Sequence, residues 1–381
     1  MTAALAGLRV LDASDSIAGQ FCGRMLADFG AQVTLVEPPG GASVRRDPPF
    51  HPDGSSLRFF HLNTGKSSIT LDQRIPAGRV LLTQLATGAD VVIAGAGVDR
   101  AALRAANGRL VTALVSEFGE DGPLAHWSGT EMIQQALSGA AHRNGQPDQP
   151  PLYGTGDRAA YAAGLGAYIT ILAALYARED SDQGQDVAID VAQTTSSMTN
   201  PFMTQYHYSG LVEPRGERRM PLIRVLCQDG WVGVWVHLHR WRATCAAFGL
   251  PDLADDPRFA DPRIRLDNWP ALNAVFQEVA VQQRADDLLY HLLNAHAVAA
   301  RAYSLTELWS DCAHLAERGF WEQVETEDGP RPVLGPQFRM SQTPRQLTGG
   351  PPAPGEANDR CYAALGISMA ERAALRHAGV I

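Results

Sequence analysis

One aspartate of this chain stands where a carboxylate could do chemistry. Asp157 follows two glycines, Gly154 and Gly156, and no charged side chain occurs over residues 159–177. The pattern predicts a long helix that begins at Asp157, because aspartate is a favoured N-cap residue and a helix N-terminus stabilises a nearby carboxylate. The glycines would let a substrate approach closely, since they lack side chains. From these residues alone, a simple helix cap is the favoured interpretation of Asp157, and a role as a nucleophile stays open.

The histidines and cysteines give little support for a metal site. His237 and His239 alternate on a strand-like stretch, but two histidines without a third ligand are weak evidence for metal, and their role stays open. The five cysteines are odd in number and include no C-x-x-C pair, which argues against a disulfide framework or a zinc site. We therefore expect no metal and a location in the reducing cytoplasm.

Charge and hydropathy argue against two classes of partner. The formal net charge is −9 and the basic residues are scattered, so no nucleic acid is expected. Residues 159–177 approach the length of a membrane span, but they are rich in alanine and glycine and no basic cluster flanks them. The stretch therefore favours a buried core helix, and no membrane partner is expected. The first residues lack the basic region and the apolar run of a signal peptide, so none is expected.

Strand and helix patterns alternate along the first half of the chain. Apolar runs near residues 8, 32, 66, 90 and 109 predict buried strands, with helical spacing between some of them. This alternation predicts an α/β fold with a parallel sheet and helices on both faces. After Tyr208 a polar linker leads to an antiparallel pair, predicted to turn at Asp229 and Gly230. Residues 329–356 are rich in proline and glycine and predict an extended segment.

The first strand, turn and helix invite comparison with a dinucleotide site. Gly19 and Gly23 do not fit the G-x-G-x-x-G spacing, and acids in the turn stand where a pyrophosphate needs bare backbone. We therefore expect no nicotinamide or flavin dinucleotide, and we interpret the segment as a plain strand–turn–helix.

A series of segments extends over nearly the whole chain. They are LAGLRVLDAS from residue 5 with ADFGAQVTLVEPPGG after it, NTGKSSITLD at 63–72, GADVVI at 88–93, FGEDGPLA at 118–125, ALSG at 136–139, GD at 156–157, GQDVAIDVAQ at 184–193, DPRF at 256–259 and PPAPGEANDRCYAALGIS at 351–368. No single segment is decisive, but in this order and spacing they resemble the class III CoA-transferases, a family that also includes carnitine dehydratase-like proteins and 2-methylacyl-CoA racemases.

The resemblance implies an α/β fold made of a large and a small domain. The large Rossmann-like, CoA-binding domain would comprise residues 1–208 and 327–381, and the small α+β domain residues 221–326, with a linker at 209–220. The family further implies a homodimer whose two chains interlock like rings. The extended segment after residue 329 would suit a chain that crosses between domains.

The same resemblance implies that Asp157 is a nucleophile. The enzyme would be an acyl-CoA:carboxylate CoA-transferase whose substrates are an acyl-CoA and a carboxylic acid. The Asp157 carboxylate would attack the thioester to give an acyl–aspartyl anhydride, and the CoA thiolate would then form an aspartyl-CoA thioester. The incoming acid would attack that thioester, and the steps would run in reverse.

Other site residues follow from the resemblance. Glu131 matches a position where an acid lies close to the nucleophile; otherwise it is an ordinary first-turn glutamate that faces its helix dipole. Three arginines could pair with CoA phosphates in a fork, although solvated surface arginine is the plainer interpretation of each. The positions expected to contact CoA are Ile17, Ala18, Leu71, Arg74, Arg100 and Arg104.

Two other functions stay open. A racemase needs a base on each face of C2. Here Thr130 stands at the family's G-H-D histidine, His126 lies four residues earlier, and Leu238 falls near a further acid position. An inactive CoA-binding paralogue also stays open, because Ile17 stands where many transferases carry glutamine and residues 94–99 replace the usual E-N-F-R-P-G. Retention of Asp157 in its glycine turn favours the transferase.

Overall fold

The computed structural model describes residues 3–212, 215, 221–326 and 328–381. It contains two compact units, residues 1–216 with 319–381 and residues 217–318. Of the predicted linker at 209–220, residues 213, 214 and 216–220 lie outside the described residues, as does residue 327, where the second part of the predicted large domain begins.

A parallel sheet of six strands forms the centre of the large unit, as the alternating pattern predicted. Its order is β3-β2-β1-β4-β5-β6, and each neighbouring pair is parallel. The strand order reverses between β1 and β4, which is where open parallel sheets form a ligand crevice at their carboxyl ends. The strands are β1 (Arg9–Ala13), β2 (Gln32–Glu37), β3 (Ser67–Thr70), β4 (Val91–Ala94), β5 (Val111–Ser116) and β6 (Asp186–Asp190).

Helices cover both faces of this sheet, which confirms the predicted layering. Adjacent residues of β4 point to opposite faces: Ile93 packs in one core cluster and Val92 in the other. The helices of this part are α1 (Ile17–Asp28), α2 (Leu57–Asn63), α3 (Pro76–Ala86), α4 (Arg100–Ala106), α5 (Glu131–Leu137), α6 (Ala140–Arg143), α7 (Arg158–Ser181), α8 (Val191–Ser197) and α9 (Asn200–Ser209), with a 3₁₀ turn at Ser43–Arg46.

Helix α7 packs along α1 and is buried on one face. Ala163, Ala167 and Ile171 are fully buried, and a Cβ at Gly164 would lie 2.5 Å from the Ala18 carbonyl oxygen. The glycine therefore permits close approach of the two backbones. By length and composition alone α7 could cross a membrane, but core helices meet the same two criteria. Its packing against α1 agrees with the predicted core helix, although the opposite face is exposed.

The small unit contains a three-stranded antiparallel sheet in the order β7-β8-β9. The predicted hairpin is present, but its turn is displaced by one residue. Cys227 pairs with Gly230, so Gln228 and Asp229 form the turn and Gly230 begins β8. The elements are β7 (Leu222–Cys227), β8 (Gly230–Trp235), α10 (Trp241–Ala247), α11 (Pro262–Asp267), α12 (Trp269–Ala280), α13 (Ala285–Asn294), β9 (Val298–Ala302), α14 (Leu305–Ser310) and α15 (Ala313–Glu317), with 3₁₀ turns at Leu238–Arg240 and Pro251–Asp255.

The last part of the chain returns to the large unit. Strands β10 (Trp321–Thr326) and β11 (Gly329–Leu334) form an antiparallel pair, so the predicted extended segment begins as a strand. Helices α16 (Asn358–Ala364) and α17 (Met369–His377) follow. The hydroxyl of Tyr362 donates to the carbonyl of Thr70, 2.7 Å away, and the Asn358 amide nitrogen donates to the Thr70 hydroxyl at 2.7 Å. These bonds fix the end of the chain beside β3.

Candidate active site

Two neighbouring cavities lie at the carboxyl ends of the sheet strands. The larger, about 750 Å³, is lined by the segments that follow β1, β3, β4 and β5; we call it the outer pocket. The smaller, about 430 Å³, contains Asp157; we call it the Asp157 pocket. The two adjoin, because they share four lining residues, Asp15, Ser16, Glu117 and Gly129, and we call them together the cleft. This cleft lies at the point where the strand order reverses.

Asp157 directly precedes α7, as predicted, but its side chain accepts no hydrogen bond from the helix. The preceding Gly156 has a φ of +82°, a left-handed conformation that glycine adopts at the least cost. The Asp157 carboxylate lies 3.5 Å from the Arg58 guanidinium and is 17% exposed. The predicted cap by the Asp157 side chain is therefore wrong, and this carboxylate remains available to a substrate.

Glu131 caps α7 in place of Asp157. The backbone N–H of Ala159 donates to both Glu131 carboxylate oxygens, at 2.9 and 3.0 Å, and that of Ala160 donates to one of them at 3.4 Å. Glu131 also begins α5, as the plainer interpretation had it, but its carboxylate satisfies the N-terminus of a different helix. Because Glu131 accepts these N–H groups, the Asp157 carboxylate does not have to cap the helix.

Gln135 fixes the glycine turn before Asp157, and the sequence analysis did not single it out. Its amide nitrogen donates to the Glu131 carboxylate at 2.6 Å and to the Gly154 carbonyl at 3.1 Å. Its amide oxygen accepts from the Gly154 N–H at 2.7 Å. The available signal was the four-residue spacing from Glu131, which places the two side chains on one face of α5.

Burial and the neighbouring charges both shift the pKa of Asp157. Burial raises the pKa of this carboxyl, Arg58 opposes the rise, and the negative charges of Glu131 and Asp47 add to it. The carboxylate is therefore poorly hydrated and lies near one cation. This environment is more typical of a nucleophile than of a solvated surface carboxylate.

Arg58 was also absent from the predicted site. It lies on α2, and its guanidinium is 3.4 Å from the Asp47 carboxylate and 3.5 Å from that of Asp157. No local pattern marks this arginine, because the contact joins segments that lie about a hundred residues apart in the sequence.

The six positions expected to contact CoA are not all in the cleft. Ile17 and Ala18 line the Asp157 pocket, and Leu71, Arg74 and Arg100 line the outer pocket. Arg104 is not among the residues described around either pocket; it pairs with Asp186 at 3.0 Å and with the Gly184 carbonyl at 3.1 Å.

The two arginines of the outer pocket already have acidic partners. Arg74 pairs with Asp72 at 2.8 Å while 83% of its side chain is exposed. Arg100 pairs with Glu120. A phosphate bound at these arginines would either displace those carboxylates from the guanidinium N–H groups or share the N–H groups with them.

The residues considered for other chemistry lie in less suitable places. Thr130 lines the Asp157 pocket, but a threonine hydroxyl is not a base for a C2 proton. His126 is exposed in a loop. His237 and His239 belong to the small unit, with ring centroids 5.3 Å apart. Within the described ranges, no cluster of three or more possible metal ligands occurs.

Comparison with known proteins gives one family. A sequence profile of CoA-transferase family III matches residues 5–358. The chain is 30% identical to a succinyl-CoA–D-citramalate CoA-transferase of Chloroflexus aurantiacus, over 98% of this chain and 97% of that protein. It is 30% identical to a formyl-CoA:oxalate CoA-transferase of Streptomyces avermitilis over the full length of both. A succinate–glutarate CoA-transferase of Agrobacterium fabrum is 30% identical over 95% of each chain.

Solved structures agree with this assignment. A CAIB/BAIF family protein from Brucella suis superposes with a TM-score of 0.86 and 29% identity, over 96% of this chain and 100% of that chain. Rv3272 from Mycobacterium tuberculosis gives a TM-score of 0.81 and 25% identity, over 94% and 98% of the two chains.

Proposed function

Because this chain belongs to CoA-transferase family III, we propose that it transfers coenzyme A from an acyl-CoA to a carboxylic acid with Asp157 as nucleophile. The chain is a class III CoA-transferase, and transfer between an acyl-CoA and a carboxylic acid is the family's activity. The observation that carries the proposal for Asp157 is its half-buried carboxylate, which caps no helix and lies beside Arg58 in a pocket that adjoins the outer pocket.

The proposed reaction divides one transfer into steps that each form and break one bond. The Asp157 carboxylate attacks the thioester carbonyl, the C–S bond breaks, and an acyl–aspartyl anhydride forms. The CoA thiolate then attacks the aspartyl carbonyl of that anhydride, which releases the first acid and leaves an aspartyl-CoA thioester. An incoming carboxylate repeats the two steps in reverse and regenerates Asp157.

Glu131 supports this chemistry in the proposal through its position. Its carboxylate accepts hydrogen bonds from the N–H groups of Ala159 and Ala160 at the start of α7. The Asp157 carboxylate therefore does not bond to its own helix. In the same proposal the outer pocket holds CoA, with Leu71, Arg74 and Arg100 on its wall and Ile17 and Ala18 beside the thioester. Arg104 lies outside both linings and pairs with Asp186, so it has no part in this proposal.

Trapping with hydroxylamine tests the nucleophile. Incubation with acetyl-CoA, succinyl-CoA or formyl-CoA plus hydroxylamine is expected to convert Asp157 to a hydroxamate, because hydroxylamine attacks an anhydride or a thioester carbonyl. Mass spectrometry of peptides locates the modified residue. Turnover of CoA without any mass change on the Asp157 peptide would contradict the assignment.

We further propose that residues 1–208 and 327–381 act as the CoA-binding domain, with 221–326 as the small domain, in an interlocked cytoplasmic homodimer. Exposed apolar side chains on α7 and α9 support an interface, since Ile169, Tyr176 and Tyr208 are 57%, 80% and 83% exposed. Sedimentation equilibrium is expected to give twice the mass of one chain. A single-chain mass at micromolar concentration would count against the dimer.

A further inference from the structure

The guanidinium of Arg58 faces the Asp157 pocket from α2. Its two terminal nitrogens lie 3.4 Å from an Asp47 oxygen and 3.5 Å from an Asp157 oxygen, and its side chain is 29% exposed. The guanidinium therefore lies between two carboxylates, one of which is the proposed nucleophile. An arginine here has further N–H groups to offer, because a guanidinium carries five donors in a planar fork.

These contacts are longer than several other ion pairs of the large unit. Arg45 donates to both oxygens of Glu37 at 2.7 Å, and Arg24 donates to Asp28 at 2.7 Å. Charge-assisted hydrogen bonds between such groups normally measure about 2.7–2.9 Å. Arg58 makes no closer polar contact within the part of the chain that the structure describes. Its guanidinium is thus aimed at the pocket without being closed into a tight pair.

The charged side chains that line the Asp157 pocket are mostly acidic. Five carboxylates line the Asp157 pocket, and Arg58 is the one cationic side chain described in its lining; the carboxylates belong to Asp15, Asp47, Glu117, Glu131 and Asp157. A carboxylic acid that enters as its anion meets repulsion from several of them. Arg58 is the group in this lining that can attract it.

We propose that Arg58 binds the reacting carboxylate of the acid substrate and holds it against the acylated Asp157. This inference rests on the proposed nucleophile. When Asp157 becomes a neutral thioester, Arg58 loses one of its two anionic partners, and the incoming carboxylate takes that place. A carboxylate oxygen then attacks the aspartyl carbonyl, the C–S bond breaks, and the CoA thiolate leaves with the electron pair. The thiolate next attacks the acid's carbonyl in the new anhydride, which restores the Asp157 carboxylate.

The test separates the use of an acid from the acylation of Asp157. For any acyl-CoA that modifies Asp157, its own free acid must be an acceptor by microscopic reversibility. Exchange of the ¹³C-labelled acid into the acyl-CoA therefore measures acceptor use without knowledge of the natural substrate. Arg58→Gln is expected to lower the kcat/KM of the acid in this exchange by about 10- to 100-fold, chiefly through KM.

Hydroxylamine trapping provides the discriminating readout, because hydroxylamine is neutral and needs no carboxylate receptor. Hydroxamate formation on Asp157 is expected to fall by a smaller factor than acid exchange in Arg58→Gln, because both reactions lose the cation 3.5 Å from Asp157 but only exchange also loses the carboxylate receptor. Arg58→Lys is expected to recover part of the exchange, since it keeps the charge without the fork. Arg46→Gln is the matched control, because Arg46 is exposed and lies in neither pocket lining.

Each other outcome has a definite meaning. Unchanged acid exchange in Arg58→Gln overturns the carboxylate receptor. Equal losses of exchange and trapping also overturn it, because Arg58 would then act on Asp157 itself. Acid exchange by the parent enzyme without a hydroxamate on Asp157 refutes the proposed nucleophile and, with it, this inference.

Discussion

Asp157→Asn is expected to lower acid exchange into acyl-CoA by on the order of 10³-fold or more, because the amide cannot form the anhydride. The loss should appear in kcat, since the proposed nucleophile acts in the chemical steps. Quenched-flow or steady-state exchange with a labelled acid measures the rate. CoA binding, measured by isothermal titration, should change little, because the outer pocket does not contain Asp157.

Two variants test whether that loss is specific. Asp148→Asn removes a carboxylate from an exposed loop position before Asp157 and should leave exchange unchanged. Glu131→Gln keeps an oxygen that can accept from Ala159, so it should cost far less than Asp157→Asn. Exchange by Asp157→Asn at even a tenth of the parent rate would exclude Asp157 as an obligatory nucleophile.

The difference between Asp157 and Glu131 shows which part of the site the sequence could reveal. The glycines and the uncharged stretch place Asp157 at the start of a helix, because N-caps and helix periodicity are local properties. The residue that actually caps the helix comes from α5. No local rule pairs two segments so far apart, and a partner that arrives from another helix can displace the intrinsic cap.

In the fold, too, local sequence patterns predicted some features, and others depend on long-range contacts. Alternating apolar runs predicted the parallel sheet, because strands buried on both faces require continuous apolar residues. The turn of the β7–β8 hairpin was displaced by one residue, since register depends on pairing as well as on the D-G signal. The return of α16 to β3 rests on Asn358 and Tyr362, which form bonds over long sequence distances. The family resemblance implied a large domain built from both ends of the chain, but neither it nor any periodic pattern predicted this contact.

A buried polar network joins the elements that surround the cleft. Lys66 is fully buried, and its ammonium donates to the Asp12 carboxylate at 2.8 Å, the Gln20 carbonyl at 2.7 Å and the Asn63 side-chain oxygen at 2.9 Å. The Ser14 hydroxyl donates to the other Asp12 oxygen at 2.6 Å. The network therefore ties the end of β1 to α1 and α2, and the loop after Ser14 lines both pockets.

Lys66 is the only lysine of the sequence; every other cationic side chain apart from histidine is arginine. The geometry gives a reason for the exception. An ammonium has three donors around one point, and here three acceptors converge on that point. A planar guanidinium is larger and directs its donors outward as a fork, so it does not satisfy three convergent acceptors in a space without solvent.

Lys66→Met is therefore expected to reduce the free energy of unfolding of the large unit by about 3–5 kcal/mol, because it leaves the Asp12 charge buried without a partner. Lys66→Arg should also destabilise, despite the conserved charge, since the fork does not fit the site. Urea denaturation followed by circular dichroism measures both losses. Combining Lys66→Met with Asp12→Leu should recover much of the stability, because the buried charge is then removed as well. A loss below about 1 kcal/mol in Lys66→Met would mean that the Asp12 carboxylate finds another partner or a proton, since an unpaired buried charge costs more than that.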